Sequence, residues 1–197
     1  MSILIAYKRG DTVYMATDTR VIVNEEKRSE LCESSYKIQR LDNGMLVGCV
    51  GDRLTRQTLF AYPEIFSLDK RGRLTRKHIV EEIVPALYDL LNEKGLLIRR
   101  EGCTPYMSGP IFLAHGGDLY EICRCFTVYR YENFQALGDA SDFVQATLFA
   151  IKDSDDVNEK LVRALDIAAK NSYLVSRPYL LINTKEKEYT LVRSEIE

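Results

Sequence analysis

The 197-residue sequence has no tryptophan and only two histidines, His78 and His115. The histidines fall on an expected helix and an expected strand, apart from every candidate catalytic residue. A Ser-His-Asp hydrolase, which needs an imidazole as its base, is therefore not expected. Cysteine is sparse and odd in number, at Cys32, Cys49, Cys103, Cys123 and Cys125. Irregular spacing excludes a disulfide framework and points to a reducing compartment. Cys123 and Cys125, on one side of an expected strand, have no second Cys/His pair at ligand spacing, so they read as packing thiols rather than a metal site. No metal or other cofactor is called for. Long apolar runs are missing as well. The opening MSILIAYKRG turns charged after five apolar residues, too few for a signal peptide or a membrane span, and a cytoplasmic location is expected. With 27 basic and 29 acidic residues spread along the chain, no cationic stripe exists for a phosphate backbone, which argues against a nucleic-acid partner. Pro and Gly number 5 and 11 and never cluster into a linker, so residues 1–197 are expected to form one domain.

Local signals then divide the chain. Ser2 to Tyr7 and Thr12 to Asp18 are β-prone runs joined by Lys8-Arg9-Gly10-Asp11, where Gly10 supplies a positive φ. Tyr36 to Leu41 and Met45 to Val50 flank the tight-turn pair Asn43-Gly44. Asp52 and Thr75 can each cap a helix, the first running to about Tyr62 and the second to Lys94-Gly95 with Pro85 as a kink. Strands are expected at Ile111 to His115, Leu119 to Arg124 and Phe126 to Tyr131. Helices follow at Ser141 to Lys152 and Asp156 to Asn171, and two strands, Tyr179 to Asn183 and Tyr189 to Arg193, close the chain. Blocks ordered ββββ, αα, βββ, αα, ββ predict an α+β fold, a four-layer αββα sandwich of two stacked antiparallel sheets.

The chemistry centres on the second residue. An initiator methionine is removed when the next residue is as small as serine, which would leave Ser2 with a free α-amino group. An α-amine with a pKa of about 7.7 to 8.0 can act as base for its own hydroxyl, so one residue supplies nucleophile and base. Ser2 opens a strand, Asp18 ends the strand returning beside it, and Lys37 enters the next hairpin, so all three can meet at one sheet edge. A lysine there depresses the pKa of amine and hydroxyl, and an aspartate holds that lysine charged.

On these residues the chain resembles the proteasome β-type subunits and the bacterial HslV and Anbu peptidases, a group of N-terminal-nucleophile hydrolases. The resemblance runs nearly end to end. Ser2-Ile-Leu-Ile-Ala and Met15-Ala-Thr-Asp-Thr-Arg20 reproduce the spacing from nucleophile to aspartate, Lys37-Ile-Gln-Arg-Leu41 matches the strand opened by the catalytic lysine, and Val47-Gly48-Cys49-Val50-Gly51-Asp52 matches the next motif. The resemblance implies the αββα fold and catalysis by Ser2, Asp18 and Lys37, with Gly48 supplying an oxyanion amide and Arg20 on the substrate side. Leu46 and Val50, alternating with Gly48, would line an apolar pocket, or belong to the core. The implied partners are unfolded peptide or protein substrates, further copies of the chain in a closed ring, and an ATP-dependent unfoldase.

The pattern also departs from the family. Asp139, in Leu137-Gly138-Asp139-Ala140-Ser141, stands where an accessory serine is expected, with Ser141 beyond it. Tyr173 occupies the place of an accessory aspartate, while Ser176 keeps the accessory serine. Serine also replaces threonine as nucleophile. No propeptide and no extra helix precede the first strand, which the resemblance reads as β-type. Two rival functions stay open: a structural ring subunit without activity, and an amidohydrolase for a small amide.

Overall fold

The computed structural model describes residues 3–23, 26–29, 36–151 and 156–193. Met1, Ser2 and Cys32 lie outside them. Twelve strands are described. One five-stranded antiparallel sheet has the order β10 (Phe134–Gly138), β1 (Ile3–Arg9), β2 (Thr12–Asp18), β11 (Tyr179–Asn183), β12 (Thr190–Val192). The other runs β5 (Ile38–Arg40), β6 (Leu46–Cys49), β7 (Ile111–His115), β8 (Asp118–Ile122), β9 (Val128–Tyr131). β3 (Arg20–Val23) and β4 (Glu26–Ser29) form a separate hairpin.

The turn residues act as their chemistry requires. Gly10 and Gly44 take φ of +61° and +82°, and the Asn43 side chain accepts from the Met45 amide at 3.0 Å, closing the β5–β6 turn. Asp52 caps α1 (Arg53–Ala61) through the Thr55 amide at 2.8 Å, and Thr75 caps the next helix through the His78 amide at 3.2 Å. That second helix is α2 (Arg76–His78), a π-helical stretch Ile79–Ile83, and α3 (Val84–Glu93). Pro85 lacks the N–H that an α-helical ladder would take, and the widened turn directly before it absorbs the mismatch expected as a kink. Asp156 caps α5 (Val157–Asn171), which packs on α4 (Ser141–Ala150).

Three apolar layers fill the sandwich. Leu4, Ala6, Met15, Ile38, Leu46, Val50 and Phe112 meet between the two sheets. α1 to α3 cover the outer face of the second sheet, and α4 and α5 cover the first. The αββα order is as predicted. Two elements differ from expectation. The β3–β4 hairpin was not foreseen, and β10 is an extra strand that leaves the second sheet to pair with β1, Ile3 opposite Gly138. Cys123 and Cys125 are not on a strand: β8 ends at Ile122, and a turn with Phe126 at φ +65° follows, leaving Cys125 exposed rather than packed. Among the described residues no helix is long and apolar enough to cross a membrane.

Candidate active site

Asp18 and Lys37 are brought together by the stacking of the sheets. Asp18 is the last residue of β2, and Lys37 directly precedes β5 in the opposite sheet. The Lys37 Nζ lies 2.6 Å from Asp18 Oδ1, and both side chains are about 1% exposed. The same carboxylate accepts the Ile3 amide on Oδ1 at 3.1 Å and the Arg20 amide on Oδ2 at 3.2 Å. The Thr17 hydroxyl donates to the Ile3 carbonyl at 2.6 Å. The start of β1 is thus clamped on both its backbone groups beside the ion pair, one residue after Ser2, which itself lies outside the described residues.

The electrostatics follow from burial. Loss of hydration pushes the Lys37 ammonium below its ordinary pKa, while Asp18 pulls it back up. Two further charges reach it: Arg56 pushes the same way as burial, and Asp139 opposes. Asp139 follows the end of β10, whose last residue pairs with Ile3, so the accessory position does adjoin the cluster. Ser141 is the first residue of α4.

Arg20 and Ser176 line a separate cleft, of about 410 Å³, with Tyr173 and Arg177. The Arg20 guanidinium donates to the Tyr173 carbonyl, and Thr19 donates its amide and hydroxyl to the Pro178 carbonyl at 3.1 and 3.0 Å. Arg20 therefore braces the 172–178 segment against the β2 end. Asp166 of α5 completes that brace, accepting Arg177 through two nitrogens at 3.0 and 2.6 Å and the Tyr179 hydroxyl at 2.9 Å.

Three expectations are corrected. Leu46 and Val50 are 0% and 4% exposed and sit in the core between the sheets, so they line no substrate pocket. They do share a face with Gly48, but that face meets Leu4 of the opposite sheet. A Cβ on Gly48 would fall 2.7 Å from Leu4 Cδ2, which gives the glycine a packing role. Its amide is also committed. Cys49 donates to the Lys37 carbonyl and Val50 to the Pro110 carbonyl, so by alternation the Gly48 N–H turns toward Phe112 in the β6–β7 ladder rather than toward an oxyanion.

Sequence reasoning missed Arg56. It stands on the buried face of α1 with Thr55 and Leu59, is 3% exposed, and among the described residues its Nε has no hydrogen-bond partner. A lone arginine between Thr55 and Gln57 carries no signal until it is known that this face packs on β6.

No protein-family model and no curated protein matches the sequence. Solved structures do share its fold. BPH from Thiobacillus denitrificans superposes with a TM-score of 0.72 at 17% identity, over 92% of this chain and 96% of that one. Anbu from Hyphomicrobium sp. strain MC1 gives 0.72 at 11% identity, over 100% and 89%. Eukaryotic HslV from Trypanosoma brucei gives 0.61 at 18% identity, over 92% and 98%. The similarity therefore covers both chains almost whole, and it shows that this chain shares the proteasome-like αββα fold of these structures.

Proposed function

We propose that the chain is a peptidase of the N-terminal-nucleophile type, with Ser2 as nucleophile. The observation that carries this reading is the buried Asp18–Lys37 pair whose carboxylate also holds the Ile3 amide, because it ties an ionised pair to the residue after Ser2. In the proposed reaction the Ser2 hydroxyl adds to the peptide carbonyl and its proton passes to the α-amine. That proton moves on to the leaving amine as the C–N bond breaks, leaving an acyl ester on Ser2. Water, activated by the same amine, then releases the acid and restores the hydroxyl. Lys37 lowers the pKa of both groups through its charge, and Asp18 keeps Lys37 in place. Enclosure of this site in a homo-oligomeric ring, in the cytoplasm, belongs to the same proposal, as does delivery of unfolded substrates by an ATP-dependent unfoldase.

One related structure is of Thiobacillus denitrificans BPH in complex with epoxomicin, and the proposal extends that binding to this chain. The test compares Met-free wild type with Ser2→Ala, Lys37→Ala and a form retaining Met1, on fluorogenic peptides with and without epoxomicin. Wild type should cleave and be inhibited, and the three variants should be nearly inactive. Undiminished turnover by Ser2→Ala would refute the mechanism. Silence in all four would leave a structural ring subunit, and turnover of small amides alone would leave an amidohydrolase.

A further inference from the structure

Three of the four described thiols line one cleft. It has a volume of about 630 Å³, lies beside the end of β8, and brings Cys103, Cys123 and Cys125 together with Arg100, Tyr106 and Arg124. Two segments that hold each other build it. Ile98 and Tyr106 exchange backbone hydrogen bonds at 2.8 and 3.1 Å, and the Met107 amide donates to the Arg124 carbonyl at 2.9 Å. The Cys123 amide donates to the Thr127 carbonyl at 2.8 Å, closing the turn that carries Arg124 and Cys125.

Two cations share one aromatic ring in this cleft. The Arg124 Nε donates to the Met107 carbonyl at 3.1 Å, which holds its guanidinium over the Tyr106 ring, with Cζ 4.9 Å from the centroid. Arg100 lies over the same ring at 5.8 Å. Both arginines are exposed, so an anion reaches them without the dehydration cost of a buried pair.

The thiols differ in readiness to react. Cys123 donates to Glu121 Oε1 at 3.1 Å, and that buried carboxylate also accepts the Tyr131 hydroxyl at 2.7 Å. A thiol that gives its proton to a carboxylate stays protonated and is a poor nucleophile. Cys125 is exposed, and its Sγ lies 3.3 Å from the Thr127 hydroxyl, a group that can donate to a thiolate.

We propose that this cleft binds small disulfides that carry carboxylates, and that Cys125 exchanges with them to form a mixed disulfide. The Cys125 thiolate attacks one sulfur, the S–S bond of the ligand breaks, and the departing thiolate takes a proton from water. Cys125 is thereby oxidised and the departing half reduced, and a free thiol reverses the step. Arg100 and Arg124 hold the carboxylates, because a guanidinium matches a carboxylate with two parallel hydrogen bonds. The site makes no use of Ser2, so it stands apart from the peptidase reading.

The experiment treats the full chain at pH 8 with glutathione disulfide, which is anionic, and with cystamine, which is cationic. Adducts are timed by intact-protein and peptide mass spectrometry, and neutral iodoacetamide reports the access of the same thiol. Wild type should take up its first glutathione at Cys125, and Cys125→Ser should remove that adduct. The double variant Arg100→Met/Arg124→Met should lower the ratio of the glutathione rate to the cystamine rate by about fivefold to tenfold, with iodoacetamide labelling unchanged. Each single variant should lower it by about two- to threefold, which keeps the test open if circular dichroism shows that the double variant does not fold. A first adduct on Cys103 or Cys123, or a rate ratio that the arginine substitutions leave unchanged, overturns the proposal. An equal slowing of all three reagents overturns it too, because the arginines would then shape the turn rather than bind an anion.

Discussion

The Lys37 ammonium sits 2.6 Å from the Asp18 carboxylate with almost no exposure of either, joining the end of β2 in one sheet to the start of β5 in the other. A pair this deep is a poor source of net stability, because dehydrating two ions costs several kcal/mol before their attraction offsets it. Its geometry suits a different task, that of holding charge beside the start of β1.

That view predicts non-additive stabilities. Lys37→Met alone should cost about 3 to 5 kcal/mol, because it leaves the buried Asp18 carboxylate, among the described residues, with the Ile3 and Arg20 amides and no ammonium. Asp18→Asn alone should cost a similar amount by stranding the ammonium. The double variant, which removes both charges, should recover most of the loss. Urea unfolding of the four proteins measures the cycle. Additive losses would mean that the two side chains do not stabilise one another.

A pH dependence follows from the lowered Lys37 pKa. The folded protein holds this proton less tightly than the unfolded chain, where the ordinary value is 10.5. Between the depressed folded pKa and 10.5 the unfolded state binds more protons, so stability attributable to Lys37 rises with pH across that window. Below the folded pKa the penalty is constant. The stability of wild type relative to Lys37→Met should therefore grow as urea titrations move from pH 8 toward pH 10, and a difference that shrinks over that range would contradict the burial argument.

What was legible in the sequence was whatever neighbours along the chain decide. Gly10 and Asn43-Gly44 specify their turns from within four residues, and Asp52, Thr75 and Asp156 begin helices through bonds to the next few amides. The Asp18–Lys37 contact was reached through spacing plus resemblance, since nothing local says that β2 and β5 will stack. β10 was missed because Phe134–Gly138 is a strand only by virtue of Ile3–Tyr7, far away in the chain. Period-two alternation correctly put Leu46, Gly48 and Val50 on one face, but it could not say that Leu4 covers that face. Arg56 shares a buried face with Leu59, where the burial comes from the sheet and not from the helix.

The close approach at Gly48 gives a third prediction. Gly48→Ala places a methyl 2.7 Å from Leu4 Cδ2, and the sheets must separate or Leu4 must change rotamer, at about 1 to 3 kcal/mol. Leu4→Ala in the same chain should restore part of that loss, because it vacates the volume the methyl needs. Thermal unfolding of both proteins checks this, and a destabilisation that Leu4→Ala only deepens would place the strain in the backbone instead.

Three of the described cysteines, Cys49, Cys123 and Cys125, should differ sharply in reactivity, since the thiolate is the reacting form. Burial pushes the Cys49 thiol up to about 12, and burial together with the hydrogen bond to Glu121 at 3.1 Å pushes Cys123 up to about 12. Cys125 goes the other way. It is exposed, and its contact with the Thr127 hydroxyl at 3.3 Å favours the thiolate and lowers its pKa. Timed alkylation of the folded protein with iodoacetamide at pH 8, read by peptide mass spectrometry, should label Cys125 before Cys123 and leave Cys49 unmodified until the protein unfolds. Thr127→Val should slow Cys125 without touching Cys49, because it removes the hydroxyl and keeps the shape. Glu121→Gln should speed Cys123, because the carboxylate that disfavours its thiolate is gone. Labelling of Cys123 ahead of Cys125 in the wild type would show that access to the turn after β8, rather than the hydrogen bonds within it, governs these thiols.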